Sequence, residues 1–185
     1  MYATREDVTL AREVTAIQIP DGAQVSLPEG TRGVITQELG ASFTVMTEYG
    51  AMYRIDHRDA DALGKEVQAS DLPDEAPSDP EELEKLVWDQ MRKCYDPEIP
   101  VNIVDLGLVY GCEVEPAENG EGHKVDIKMT LTAPGCGMGP VLAEDVRVRV
   151  EEIPGVAETR VEVVLDPPWN PGMMTEAARL QLGFM

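Results

Sequence analysis

The sequence predicts an α+β protein of two domains, a small β-barrel followed by a three-stranded sheet with packed helices. Three observations support this fold class. Short β-like runs separated by turns fill positions 8–58. An acidic proline-rich stretch follows them. Beyond it, the spacing of apolar residues is typical of a helix, two strands, a helix and a strand, in that order. We therefore place the domains at residues 1–70 and 80–185, with a linker at 71–79.

Turn residues recur through the first domain at the spacing of a small barrel. They are Pro20-Asp21-Gly22, Pro28-Glu29-Gly30 and Tyr49-Gly50. From this spacing we predict an SH3-like barrel of about five strands. His57 has no cysteine or second histidine nearby in the sequence, so we interpret it as solvent-facing or hydrogen-bonded rather than as a ligand. A docking module is the expected role of this domain.

The composition excludes several classes of protein. With 43% apolar and 27% charged residues the chain is typical of a globular, soluble protein. No apolar run approaches the roughly 18 residues of a membrane span, and the N-terminus lacks the apolar core of a signal peptide, so we expect a cytoplasmic protein with no membrane contact. Lys and Arg total 15 against 35 Asp and Glu, for a net charge of −20, which argues against nucleic-acid binding.

The second domain is predicted to begin with a helix. Asp79 is its expected N-cap and Pro80 its first residue, and the helix should run to about Cys94. One apolar face recurs at helical spacing: Leu83, Leu86, Val87, Met91 and Cys94. Cys94 lies on that face, so we interpret it as a core residue.

Two strands joined by a hairpin are predicted next. The first places Leu108, Tyr110, Cys112 and Val114 on one side, with Val109, Glu113 and Glu115 on the other. Cys112 shares its side with apolar neighbours, so we expect a core residue. Asn119-Gly120 marks the turn, and His123 is expected to be exposed at its edge. The second strand alternates, with Val125, Ile127, Met129 and Leu131 inward and Asp126, Lys128, Thr130 and Thr132 outward.

A helix and a last strand complete the predicted domain. The helix carries an apolar stripe, Leu142, Val146, Val150 and Ile153, and Pro154-Gly155 ends it. The strand places Val161, Val163 and Leu165 on one face. The apolar tail that follows, which includes Met174 and Phe184, either covers the core or lies across the Cys136 site or a dimer partner.

Cys136 is the candidate functional residue, in an uncharged stretch between the second strand and this helix. Pro140 marks the helix start, where unpaired backbone N–H groups favour an anion such as a thiolate. Thr132, Gly135 and Gly137 shape the turn, and the glycines leave the sulfur uncrowded. The cysteine can thus serve as a metal ligand or nucleophile; the alternative is a small buried hydrophobe.

The cysteine count limits the kind of metal site. The three cysteines show no C-x-x-C spacing, so a self-contained four-cysteine zinc or cluster site is excluded. A metal at Cys136 would need further ligands from a second copy, a partner protein, carboxylates or a small thiol.

Three short motifs occur in order in the second domain. They are Asp96-Pro97-Glu98-Ile99-Pro100, Asp105-Leu106-Gly107-Leu108-Val109 and Thr132-Ala133-Pro134-Gly135-Cys136. In these motifs and their order the chain resembles the metal-sulfur cluster biosynthesis family over about residues 80–170. The whole chain is similar to the SufT branch of that family, which has an added N-terminal β domain.

The resemblance implies an accessory factor in iron–sulfur cluster assembly or in delivery to client apoproteins. Cys136 would be the cluster-ligating or reactive cysteine, and Asp96 and Glu98 supporting acids. These acids could instead only cap their loop, and for Asp105 we favour that structural role. We expect a transient iron–sulfur cluster shared between protomers or with a partner, none held stably within one chain, and a homodimer that meets iron–sulfur assembly proteins and clients.

Two other functions remain open at this point. A cysteine-dependent enzyme would need a base beside Cys136, yet His57 lies in the other domain and His123 at a hairpin edge. A redox role would need a resolving cysteine, and none is spaced beside Cys136. An adaptor that binds maturation partners without metal needs neither. We predict a non-catalytic factor.

Overall fold

The computed structural model describes residues 5–184, which divide into two compact units on either side of the Ser70–Asp71 bond. Each unit has its own hydrophobic core. Among the described residues, no helix has both the length and the apolar character needed to cross a bilayer.

The first unit is a six-stranded antiparallel sheet followed by a 3₁₀ segment, His57–Leu63. Its strands are β1 (Glu6–Thr9), β2 (Val14–Ile19), β3 (Gln24–Leu27), β4 (Arg32–Leu39), β5 (Ser42–Thr47) and β6 (Met52–Asp56). They lie in the order β1-β4-β5-β6-β2-β3, so the central strands β5 and β6 supply the most buried side chains, Phe43 and Ile55.

The sheet of this unit is open, and the predicted SH3-like barrel is therefore not confirmed. Among the described residues β1 pairs only with β4, and β3 pairs only with β2. Both edge strands are four residues long, and no ladder joins them to close the sheet. Turn spacing predicts the strands, but closure depends on how edges meet, which the spacing does not encode.

His57 is buried rather than solvent-facing. Its Nε2 lies 3.1 Å from Glu38 Oε1, and its ring stacks on Phe43 with the ring centres 4.3 Å apart. Of the two sequence interpretations, the hydrogen-bonded histidine is the one observed. Its position explains the burial, because His57 follows directly on β6 and packs on the aromatic core residue.

The second unit is a three-stranded sheet with helices on it. Its elements are α1 (Pro80–Met91), β7 (Val109–Pro116), β8 (His123–Met129), α2 (Gly139–Glu151), β9 (Val156–Val163), a 3₁₀ turn (Pro171–Met173) and α3 (Glu176–Leu182). The strand order is β7-β8-β9. β7 and β8 form an antiparallel hairpin, while β9 runs parallel to β8 because α2 carries the chain back across the sheet.

Helix α1 begins where the sequence predicts. The Asp79 carboxylate accepts the Glu81 N–H at 3.0 Å, and Pro80 is the first helical residue. The helix ends at Met91, three residues before the predicted end, yet the whole apolar stripe including Cys94 still packs in the core. Leu72, in the segment predicted as a linker, packs against this same core.

A bulge in β7 changes which side chains face the core. Val109 pairs with Met129 and Gly111 with Lys128, which leaves Tyr110 as an extra residue. Val109, predicted to face outward, therefore packs on the core, while the Tyr110 hydroxyl donates to the Pro167 carbonyl at 2.7 Å. The bulge departs from the alternating pattern only at Val109 and Tyr110, because Cys112 and Val114 beyond it pack with the core as predicted.

Thr130 is a second correction. Alternation places it on the outward face of its strand, but its side chain is 1% exposed. It follows the last residue of the central strand, and its N–H donates to Leu108 O at 2.8 Å. Its burial shows that the outer face of the sheet is covered at this end.

The C-terminal segment, residues 164–184, covers the core. Met174 and Ala178 are core members. The indole N–H of Trp169 donates to Leu106 O at 2.8 Å, and the Thr175 N–H donates to Asp105 O at 2.9 Å. Of the alternatives left open by the sequence, the structure shows core coverage.

Gly107 permits this close approach. Its φ is +78°, and a Cβ at this position would overlap the carbonyl oxygen of Met173. Gly120 has a similar φ of +74° but faces open space, where a Cβ would meet no atom within 4 Å.

We expect Gly107→Ala to lower the free energy of unfolding by about 3 kcal/mol or more, because backbone strain and steric overlap add. Gly120→Ala introduces the backbone strain alone and should lower the free energy of unfolding by about 1 kcal/mol. Urea denaturation of both variants measures the difference. Limited proteolysis should cut the C-terminal segment earlier in Gly107→Ala only. Equal losses in the two variants would contradict the close packing of residue 107 against Met173.

Candidate functional site

The turn that carries Cys136 joins the end of β8 to the start of α2. The Cys136 N–H donates to Ala133 O at 3.4 Å, and the Gly139 N–H donates to Cys136 O at 3.1 Å. Helix α2 starts at Gly139, with Met138 as N-cap, and in the described chain no side-chain hydrogen bond caps this helix end. Cys136 is half-buried. The cysteine thus lies on the turn into the helix, close to backbone donors without a side-chain acceptor.

Glycine and packing fix the shape of this turn. Gly135 has a φ of +77°, and a Cβ at this position would meet no atom within 4 Å, so its backbone conformation and not a close neighbour favours glycine here. Gly139 has the opposite role, since a Cβ there would lie 2.7 Å from Leu131 Cδ1. Met138, at the end of the turn, is buried with 5% of its surface exposed.

Gly139 and Met138 are site residues that sequence reasoning missed. The available signal was the glycine directly before Pro140, since a helix start seldom needs a glycine unless something packs against it. Thr132 and Gly137, both predicted to shape the turn, are half-buried and exposed respectively.

The central position of β8 brings two of the sequence motifs together. The Thr130 N–H donates to Leu108 O at 2.8 Å, and on the other side the Val164 N–H donates to Met129 O at 2.8 Å. The Asp105–Val109 motif therefore adjoins the base of the Cys136 turn, at the same end of the sheet as the end of β9.

Asp96 has a structural role in its own loop. Its Oδ1 accepts the Glu98 N–H at 3.0 Å, and its carbonyl accepts the Ile99 N–H at 3.1 Å. The residue is buried, whereas Glu98 is exposed. The geometry is that of a capped turn, so of the two acids Glu98 is the one that reaches solvent.

Asp105 also belongs to a loop network. Asn102 Nδ2 donates to Asp105 Oδ2 at 2.7 Å, and Asn102 Oδ1 accepts the N–H groups of Val104 at 3.0 Å and Asp105 at 2.9 Å. Burial, with the Asp105 charge as a further cause, raises the pKa of Tyr95. Asn102, which sequence reasoning did not single out, organises this loop.

The structure does not bring the predicted residues together as a ligand set. Among residues 5–184 there is no group of three or more His, Cys, Asp or Glu side chains that could hold a metal ion. Cys136, Asp96 and Glu98 therefore do not form a three-ligand metal site in the described part of the chain. A metal bound at Cys136 would take its other ligands from outside it.

The other two cysteines differ from Cys136 in their surroundings. Cys94 is buried, and its thiol donates to Gln90 O at 3.8 Å. Burial raises the pKa of Cys112 to about 12, with the negative charges of Glu84 and Glu113 as further causes. Both thiols pack with the core of the second unit.

Comparison with known proteins points to one family. The sequence profile of the family described as "iron-sulfur cluster assembly protein" matches residues 84–163. The "Fe-S protein maturation auxiliary factor" of Porphyromonas gingivalis is 45% identical over 95 residues, which are 51% of this chain and 86% of the relative.

Two further relatives carry related names. The "Fe-S protein maturation auxiliary factor SufT" of Staphylococcus aureus is 42% identical over 88 residues, 48% of this chain and 94% of the relative. The factor YitW of Bacillus subtilis is 37% identical over 103 residues, 56% of this chain and 96% of the relative. The resemblance drawn from the three motifs is confirmed, and close to half of this chain has no counterpart in these relatives.

We expect Cys136 to be the cysteine that reacts first with iodoacetamide in the native protein at about pH 8, because Cys94 is buried and the thiol of Cys112 keeps its proton. Mass spectrometry of tryptic peptides after short exposure measures the order. The Cys136→Ser variant is the control and should stay unmodified until urea unfolds it. Early labelling of Cys112 would contradict the burial described here.

The raised pKa of Cys112 also predicts a pH dependence of stability. Above about pH 9 the unfolded chain loses this thiol proton, while the folded chain keeps it until about pH 12. Since the unfolded state then binds fewer protons, the free energy of unfolding falls as the pH rises through this window. Urea denaturation of wild type and Cys112→Ala between about pH 8 and pH 11 measures it; the variant should show the shallower decline. Parallel curves would contradict the shift.

Proposed function

Because this chain belongs to the iron–sulfur cluster assembly protein family, we propose that it is an accessory factor that assembles iron–sulfur clusters or delivers them to client apoproteins. The relatives of similar sequence are named as maturation auxiliary factors, and the family match runs from within α1 to the end of β9, including the Cys136 turn. The observation that carries the proposal is the half-buried Cys136 on an open turn at a helix start.

Cys136 is proposed as a transient ligand to the cluster as cargo. A cysteine thiolate is a soft ligand suited to iron. A cluster ordinarily has four protein ligands, and this chain offers one at the turn. A second protomer, small thiols such as glutathione, or cysteines of the client supply the rest.

Delivery then requires only ligand exchange. The Cys136 sulfur leaves one iron atom, and a thiolate of the client takes its place, so one Fe–S bond breaks and one forms. No electron moves, and the proton of the client thiol passes to Cys136 or to water. A chain that supplies a single thiolate favours this exchange, because few Fe–S bonds to the chain must break before the cluster leaves.

The acidic loop is proposed to act through Glu98. Asp96 is occupied in capping the loop, whereas the Glu98 carboxylate reaches solvent, where it can supply a weak oxygen ligand or meet a partner. Thr132, Gly135 and Gly137 keep the turn open around the sulfur.

A catalytic role for Cys136 is not proposed. His123 begins β8, whereas the Cys136 turn follows its last residue, Met129, which separates the two ends by roughly 20 Å. His57 belongs to the other unit, and its Nε2 is held by Glu38. His123 is therefore not placed to take the proton of the Cys136 thiol. The proposed partners are iron–sulfur assembly proteins and client apoproteins of the cytoplasm.

We expect anaerobic reconstitution with iron and sulfide to give wild-type protein with visible cluster absorption, and the cluster to pass to an apo client. Cys136→Ser should lose both, because it removes the one accessible thiolate, while its urea unfolding midpoint stays unchanged. Cys112→Ala is the matched control and should load and transfer like wild type. Full client loading by Cys136→Ser would sink the ligand role and support a metal-free adaptor.

A further inference from the structure

We propose that the outer edge of β9 is a self-association surface, on which a second copy of this chain pairs antiparallel about a twofold axis at Val161. The inference goes beyond the proposed function and does not rest on it. It stands on three features of β9: its unpaired edge, the order of charges along it, and the exposed apolar residues at its end.

The edge of β9 that faces away from β8 is open. Within residues 5–184, β9 pairs with β8 alone. The Val164 N–H points to β8, where Met129 O accepts it, whereas the Thr159 N–H points the other way and is held by Glu151 Oε1 at 3.3 Å. Beyond the bulge at the start of β9, the odd-numbered residues from Thr159 onward thus present their backbone groups to the edge, where another strand can pair with them.

The charges along β9 restrict self-pairing to a twofold axis at Val161 or at Thr159. Glu158, Arg160 and Glu162 lie on the exposed face of the sheet. A twofold axis at Val161 sets Arg160 opposite Glu162 of the partner subunit, and the reverse pair forms by symmetry. A twofold axis at Arg160 would instead place Glu158 opposite Glu162 of the partner subunit and Arg160 opposite Arg160 of the partner subunit. Opposite charges directly across a strand pair stabilise it, and like charges destabilise it.

The other free edge of the sheet lacks this complementarity. The exposed face of β7 carries Gly111, Glu113 and Glu115, with no basic residue. No register of two β7 copies places opposite charges across from each other, and an axis at Glu113 or Val114 brings carboxylates together. Of the two edges, β9 is therefore the one that fits a second copy.

The exposed apolar side chains at the end of β9 also fit a twofold axis at Val161. Val163 is 37% exposed and Leu165 52% exposed. The axis at Val161 pairs Val163 with Thr159 of the partner subunit and covers Leu165 with Ala157 of the partner subunit. The Thr159 N–H would exchange its long bond to Glu151 for a backbone carbonyl.

This dimer has a consequence for Cys136. The two sheets would join into one of six strands, and the copies run in opposite directions. Since each Cys136 turn leaves the end of its own β8, the two turns would lie at opposite ends of the joined sheet. In this dimer the two Cys136 sites are separate, so the remaining cluster ligands would come from small thiols or client cysteines and not from the second protomer.

Charge exchange tests the surface and its register. Arg160→Glu and Glu162→Arg each replace two attractive pairs with two repulsive ones, so either variant alone should raise the dimer dissociation constant by about tenfold or more. The Arg160→Glu/Glu162→Arg double variant restores the pairs and should dimerise like wild type. An equimolar mixture of the two single variants should form a heterodimer, since each supplies what the other lacks.

Sedimentation equilibrium of the full chain, without iron or sulfide, measures all four cases independently of cluster transfer. Circular dichroism checks folding, which these exposed positions should leave unchanged. A monomeric wild type, single variants that dimerise normally, or a mixture without heterodimer would overturn the proposal. A loss in Arg160→Glu with none in Glu162→Arg would overturn the Val161 axis in favour of one at Thr159, where Glu158 meets Arg160.

Discussion

The central strand of the second unit is the constraint on which the rest of that unit depends. Val125, Ile127 and Met129 of β8 are at most 1% exposed, so helices must cover that face, and strands must pair on both sides. The parallel pairing with β9 needs a crossover, and α2 supplies it. The Cys136 turn is the first part of that crossover, which places the cysteine at the end of the most buried strand.

The sequence predicts this unit well because its signals are local and agree with one another. The Asp79 cap, the stripe from Leu83 to Cys94 and the alternation of β8 each depend on a few neighbouring residues. What failed depends on distant contacts. At the bulge, the Tyr110 hydroxyl donates a hydrogen bond to the distant Pro167 carbonyl. The open edges of the first sheet depend on strands far apart in the sequence.

The features of the candidate site also divide into those that local sequence predicts and those that depend on distant contacts. The turn around Cys136 follows from its glycines and from Pro140, whereas the anchoring contact of Gly139 with Leu131 becomes visible only in three dimensions. The three cysteines show the limit of residue type as a guide. Cys94 and Cys112 pack with the core, and only the environment of each sulfur separates them from Cys136.

The C-terminal segment affects how the protein is made. Met174 and Ala178 are part of the core on which α1 and the sheet also pack, and Trp169 and Thr175 secure the loop beside the cysteine turn. During translation those residues emerge after the rest of the core of the second unit. The first unit can fold while the ribosome is still at work, but the second cannot complete its interior until residue 178 has left the exit tunnel. Until then the part of the core that Met174 and Ala178 cover stays exposed to solvent.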